Sequence, residues 1–218
     1  MELKIEQQSL SEIAYNRIKE LILNNVLKPG TKIKQEEMAK QLGISKIPLR
    51  QSLSVLESEG LVQTYHNRGF YVRHITKEEL SEVLEVRTAL ETMSVFLIIN
   101  VLNDGIKDKL LRFIMEFEDV YNKKDYKRYF DIDKKFHHYL IKASNNRILL
   151  KLNDISHVQV SRYLVGFELD METSFKHHKE LIEYILSKKL KEAAEVIRKH
   201  FICVRDYIFN DENKKYSH

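Results

Sequence analysis

Nine histidines punctuate this chain of 218 residues, and six of them fall between His137 and His200. Asp133 and His137 are four apart, which puts an oxygen and a nitrogen donor on one helix face within reach of a single ion. His178 and His200 extend that geometry. The break between their helical patterns lies at Ser187-Lys188-Lys189, with one histidine 11 residues before Lys189 and the other 11 after it. In an antiparallel helix hairpin, residues equidistant from the turn sit at the same height. Phe175, Leu181, Ile182 and Ile185 make an apolar face around His178; Ala193, Val196, Ile197, Phe201 and Val204 do so around His200. Both rings are therefore aimed inward, where Asp133 and His137 can meet them. One carboxylate and three imidazoles form a borderline donor set suited to Zn²⁺, Ni²⁺ or another first-row divalent ion. The same residues also fit three buried histidines satisfied by tyrosine or carboxylate partners, and spacing leaves both open. His138, His157 and His177 fall off the inward phase and read as surface or structural groups.

Such a cluster also suits a hydrolase that activates water on a metal. Against that, the sequence has no obvious general base beside the cluster, no Gly-rich phosphate loop and no nucleophile elbow. Cys203 has no adjacent Gly or helix N-terminus to activate its thiol and reads as a mid-helix core residue. As the only cysteine it cannot close an intramolecular disulfide, and it excludes a Cys-rich zinc knuckle. The expectation is a binding protein, not an enzyme; a hydrolase or a pure metal sensor is the alternative.

The elements that must position these groups are helical. With 43% hydrophobic and 31% charged residues, 6 Gly and 2 Pro, the composition is that of a globular, mostly α chain. Both prolines and four of the glycines precede residue 75, and the punctuation then nearly vanishes, which marks a boundary near His74–Ile75. Beyond it, Thr76-Lys77-Glu78-Glu79 forms a capping box. Leu80, Val83, Leu84, Arg87, Leu90, Glu91 and Ser94 continue one broad face to about Leu102, and Asn103-Asp104-Gly105 ends that helix. Further periodic segments over 107–122, 126–143, 147–164, 172–186 and 190–209 complete six helices, the pattern of an antiparallel bundle over 78–210.

The first 74 residues read differently. Ile13, Arg17, Ile18, Leu21 and Ile22 follow helical spacing up to Lys28-Pro29-Gly30, and Gln35 to Leu42 gives a short second helix ended by Gly43. Ser45 can cap a third, with Leu49, Leu53 and Leu56 as its apolar face and Pro48 harmless in its first turn. Two strand-like runs, 61–65 and 70–73, flank His66-Asn67-Arg68-Gly69, where Gly69 can take a positive φ. Helix, turn, helix and a basic-tipped hairpin outline a winged helix-turn-helix over 8–74, whose recognition helix enters the DNA major groove by its N-terminal residues. Lys46 and Arg50 share a face there, where Arg can engage guanine bidentately and Lys can bond a base or a phosphate. Arg68 at the wing tip can hold the backbone or enter a minor groove. Residues 1–74 carry 11 Lys/Arg against 8 Asp/Glu, the remainder 25 against 24, so the slight excess of positive charge lies in this half.

Residues 10–73 resemble the DNA-binding domain of GntR-type bacterial transcription regulators. The resemblance rests on Leu27-Lys28-Pro29-Gly30, on Gly43-Ile44-Ser45-Lys46-Ile47-Pro48-Leu49-Arg50, on Leu56-Glu57-Ser58-Glu59-Gly60-Leu61-Val62 and on Arg68-Gly69-Phe70. It implies contacts to double-stranded DNA from Lys46, Pro48, Arg50, Arg68 and Gly69. Lys46 and Ile47 stand where the family usually has Arg and Thr, which changes the planar fork and removes a hydroxyl.

Residues 78–210 resemble the FCD domain of the FadR subfamily, on Glu85-Val86-Arg87-Thr88-Ala89-Leu90-Glu91, Asp133-Lys134-Lys135-Phe136-His137, Ala143-Ser144-Asn145-Asn146, His178-Lys179-Glu180-Leu181 and His200. In metal-containing members the positions matching Asp133, His137, His178 and His200 ligate the ion. The resemblance further implies a small organic acid on the metal, with Arg87 pairing its carboxylate. Asn146 and, more weakly, Arg162 are further pocket candidates; a salt bridge from Arg87 to Glu91, a cap or a surface charge are the alternatives. A homodimer on a palindromic operator is expected, since half-sites about 34 Å apart demand matching symmetry. No apolar run reaches the ~20 residues of a membrane span, and residues 1–6 show no signal-peptide core, so a cytoplasmic protein without membrane contact is expected.

Overall fold

Ala14, Ile18 and Ile22, spaced by four, give the first helix one buried stripe, and Ser9 caps it by accepting a bond from the Glu12 N–H at 3.2 Å. In the computed structural model, which describes residues 9–153 and 170–210, this helix is α1 (Leu10–Leu23). It is followed by α2 (Gln35–Leu42), α3 (Lys46–Ser58), β1 (Val62–Tyr65) and β2 (Gly69–Val72). Leu49, Leu53 and Leu56 of α3, all fully buried, pack on α1. Tyr15 and Lys19 then close over Glu59, at 2.5 and 2.9 Å, and tie the end of α3 back to α1. Gly43 ends α2 with φ +66, a left-handed cap that a Cβ would strain.

The hairpin pairs Val62 with Val72 and Tyr65 with Gly69. A third extended segment was not evident from the sequence. Gly30 and Ile33 donate to Val72 and Phe70 at 2.8 and 2.9 Å, and Val72 donates to Thr31 at 2.9 Å, so this segment edges β2 on its open side. The segment is too short, and too interrupted by lysines, to register as a strand pattern.

The second compact unit begins at Thr76. Its α4 (Lys77–Val101) opens on the expected capping box, with both the Thr76 and the Glu79 side-chain bonds formed. Asn103 does more than end α4. Its Oδ1 accepts from the Ile106 N–H at 3.0 Å and caps α5 (Asp104–Asn122), which starts three residues before the expected position with Gly105 inside its first turn. Next come α6 (Tyr126–Ala143), a helical stretch from 147 to 153, α7 (Met171–Leu186) and α8 (Leu190–Asn210). The rest of the helix expected over 147–164 lies outside the described residues, as do His157 and Arg162. Contacts run α4–α6–α5–α7–α8 and back to α4, a closed ring around one core. Phe113, Phe117 and Phe136 fill it, fully buried or nearly so. The fold is mainly helical, with a winged helix-turn-helix unit and a helical second unit, as the sequence predicts.

Candidate metal centre and nucleic-acid interface

The ring of helices brings Asp133 and His137 of α6, His178 of α7 and His200 of α8 to one point, with one ligand atom from each within 4.8 Å of the others. All three imidazoles are buried and the carboxylate is nearly so. Helical phase does this. Ser174, His178, Leu181, Ile182 and Ile185 form the inner face of α7; Val196, Ile197, His200 and Phe201 form that of α8. The turn at 187–189, with Lys188 at φ +59, sets the two histidines level.

His178 Nε2 lies 3.2 Å from Asp133 Oδ1 and 3.3 Å from His137 Nε2. On the far sides of the rings, His137 Nδ1 meets Glu91 Oε2 at 2.6 Å and His178 Nδ1 meets the Tyr129 hydroxyl at 3.1 Å. Phe117 stacks on His178 at 4.5 Å and fixes its plane.

These outer bonds decide what the inner atoms present. Burial opposes the Glu91 charge, but His137 and Arg87 outweigh it and hold the carboxyl below its usual value. As an anion it accepts, so His137 carries a proton on Nδ1. Burial raises the Tyr129 hydroxyl, with the Asp133 charge adding to it, so it stays neutral. Burial likewise opposes ionisation of Asp133, yet His137 holds its carboxyl well below the usual range. One carboxylate and three imidazoles thus converge, an arrangement that favours added positive charge at their centre. With no metal, that charge is a proton: Glu91 and Asp133 overcome the burial of His137 and push it up to about 9. Burial lowers His178 and, reinforced by the His178 and His137 charges, holds His200 well below the usual histidine value. The cluster accepts one proton but resists a second, and its one carboxylate and three imidazoles are a donor set of the kind first-row divalent ions accept.

Arg87, also buried, donates from Nη2 to Glu91 Oε1 at 2.8 Å and lies 4.9 Å over the Phe201 ring. The salt bridge to Glu91 that its spacing allows is therefore formed. Asn146 Oδ1 accepts from the Ile148 and Leu149 N–H groups at 3.0 and 3.1 Å, so this side chain caps the helical stretch that follows. His177 is half-buried, its ring 5.9 Å from His200 and its Nδ1 without a hydrogen-bond partner among the described residues. His138 is half-buried. Cys203 corrects its expected place in the core: it is exposed, because the inward stripe of α8 passes through His200, Phe201 and Ile208. Glu91 and Tyr129 were missed as partners of the cluster. The available signal was a carboxylate on the inward face of α4, which demands a buried cation or donor.

In the first unit, Lys46 opens α3 and pairs with Glu36 of α2 at 2.5 Å, both ends exposed. Ser45 occupies the cap position with an extended backbone, but its side chain makes no capping bond, unlike the expected role. Pro48 lies in the first turn, and Arg50 stands exposed one turn on from Lys46 with no ion-pair partner among the described residues. Ile47 between them is 72% exposed. At the wing, Arg68 is exposed, and Asn67 and Gly69 take φ +57 and +89 to turn the chain.

A helix-turn-helix with a wing, followed by a helical unit enclosing a cluster of potential metal ligands, defines a class of DNA-binding regulators. Comparison with known proteins agrees. The model of the gntR family of bacterial regulatory proteins matches residues 10–72, and that of the FCD domain matches residues 82–202. The chain belongs to the gntR family of bacterial regulatory proteins and carries an FCD domain. It is 30% identical over 187 residues to the Nta operon transcriptional regulator of Aminobacter aminovorans, covering 83% of this chain and 88% of that one. To the HTH-type transcriptional regulator YdhC of Bacillus subtilis (strain 168) it is 28% identical over 193 residues, 86% of this chain and 85% of the other. The solved structure of Escherichia coli McbR/YncC shares the fold, with a TM-score of 0.76 at 21% identity over 94% of this chain and 100% of that one. The protein is a DNA-binding transcriptional regulator of the GntR/FCD type, and its relatives are regulators and not enzymes. Among the described residues, no helix is long and apolar enough to cross a membrane.

Proposed function

We propose that this regulator holds a divalent metal, Zn²⁺ or Ni²⁺, through Asp133, His137, His178 and His200, and that a small organic acid bound there controls its affinity for DNA. The observation that carries the reading is the convergence of those four ligand atoms within 4.8 Å at the centre of the second unit. The metal would supply a Lewis-acidic position for a carboxylate oxygen. Arg87, linked to the cluster through Glu91 and His137, would hold the same carboxylate by charge-assisted bonds, with Asn146 as a further contact. DNA is engaged by the first unit, residues 8–74: Lys46, Pro48 and Arg50 in the major groove, Arg68 and Gly69 along the backbone or in a minor groove. The second unit, 78–210, receives the acid, and two copies bind a palindromic operator as a homodimer. The acid acts only by binding one dimer arrangement more tightly than another.

Elemental analysis of purified protein, followed by operator gel shifts with a panel of small mono-, di- and tricarboxylic acids with and without chelator, tests this. One metal per chain and an acid whose effect on DNA affinity disappears with chelation are expected. A response to metal with no acid effect would make the protein a metal sensor, and metal-free protein that still responds to an acid would overturn the metal reading.

A further inference from the structure

We infer that Glu91 is a positioning residue for the metal centre: it fixes the His137 ring so that Nε2 presents a lone pair to the site, and Arg87 holds it in place to do so. The inference rests on the proposed metal site and goes beyond it, since Glu91 is not itself one of the four ligands. Glu91 is fully buried in the middle of α4. Both of its oxygens are engaged, Oε1 by Arg87 at 2.8 Å and Oε2 by His137 Nδ1 at 2.6 Å. A carboxylate stripped of water persists only where donors replace the water, and here one guanidinium and one imidazole do so.

The consequence lies on the opposite side of the imidazole ring. With one proton fixed on Nδ1, Nε2 is the nitrogen left to give up its proton for a metal, and it faces Asp133 Oδ1 at 3.6 Å and His178 Nε2 at 3.3 Å. Arg87 contributes twice. It neutralises Glu91, and its guanidinium lies over the Phe201 ring, which is 5.4 Å from the His137 ring and 5.1 Å from that of His200. Arg87, Glu91 and His137 thus form one buried chain from the proposed carboxylate-binding group to a metal ligand. A glutamine at 91 cannot serve both neighbours. With its amide toward His137 it forces the proton onto Nε2 and blocks the ligand atom; with its oxygen there it turns two donors against Arg87.

The test uses the full chain with Zn²⁺ alone as the probe, in competition with a chromophoric chelator. Wild type, Glu91→Gln, Glu91→Asp, His137→Ala and the Glu91→Gln/His137→Ala double variant are compared. Glu91→Gln should lose about 10- to 100-fold in Zn²⁺ affinity, and Glu91→Asp, which keeps the charge, should recover part of it. In the His137→Ala background Glu91→Gln should cost nothing further, because its effect travels through that ring. An equal loss in both backgrounds would show a merely structural role and overturn the inference. Wild type that binds Zn²⁺ tightly alongside an equally tight Glu91→Gln variant would overturn it while leaving the metal site standing; wild type that binds no Zn²⁺ would sink the site itself. Should Glu91→Gln fail to fold, ¹⁵N-histidine NMR of the Zn²⁺-loaded wild type decides: His137 protonated at Nδ1 supports the inference, and His137 protonated at Nε2 defeats it.

Discussion

Lys46–Glu36 and Arg87–Glu91 are both cation–carboxylate pairs, 2.5 and 2.8 Å long, yet they do opposite work. The first lies in solvent, its side chains 57% and 80% exposed. Water competes for both partners, so the pair is weak and exchangeable, and in the proposed DNA complex Lys46 would leave Glu36 for a phosphate. The second is sealed in the helical unit with its side chains 5% and 0% exposed, where neither partner has water to fall back on. Distance alone does not tell a switchable contact from a fixed one; exposure does. A recognition surface needs cations that can change partners, and a ligand cage needs groups that cannot.

The sharpest way to break this comparison is to delete one partner of the buried pair. Glu91→Ala leaves Arg87 and the Nδ1 proton of His137 without an acceptor, and urea denaturation of metal-free protein should show a loss of about 3–5 kcal/mol; a loss under about 1 kcal/mol, the level of a surface pair, would erase the distinction. Metal removal comes next. With Zn²⁺ a hundredfold above its dissociation constant the native state gains about 2.7 kcal/mol, so chelation should lower Tm by about 5–10 °C. An unchanged melting curve would speak against a metal held by the native cluster. Arg50→Ala, on the exposed side, should cut operator affinity roughly ten- to hundredfold while metal content and Tm stay put. The smallest effect belongs to Glu36→Ala. Freeing Lys46 should leave stability unchanged and raise DNA affinity by less than about fivefold, with a steeper salt dependence in a gel-shift titration; a fall in affinity would mean that Glu36 orients Lys46 instead of competing for it.

Much of the scaffold was legible in the sequence because local rules fix it. The bounds of α2 and α6 match the periodic segments, and Thr76 with Glu79 gives a cap that depends on four consecutive residues. Where local signals were ambiguous, the structure differs. Asn103-Asp104-Gly105 has the composition of a break, yet Asn103 caps the helix that follows without delay. Cys203 lies near an apolar face, and a few tens of degrees of helical phase place it outside instead. The extended segment at 30–33 owes its form to hydrogen bonds with β2, which no local pattern announces.

What the sequence determined alone is the set of groups available and the helix faces that carry them. Asp133 and His137 share a face by their spacing, and His178 and His200 share a height by their distance from one turn. Which groups stand behind them was decided only by the closed ring of helices. Glu91 lies 46 residues from His137, and Tyr129 lies 49 from His178. Helical periodicity fixes direction within an element, whereas the pairing of buried donors and acceptors is fixed by which elements pack together, and that is a property of the whole core.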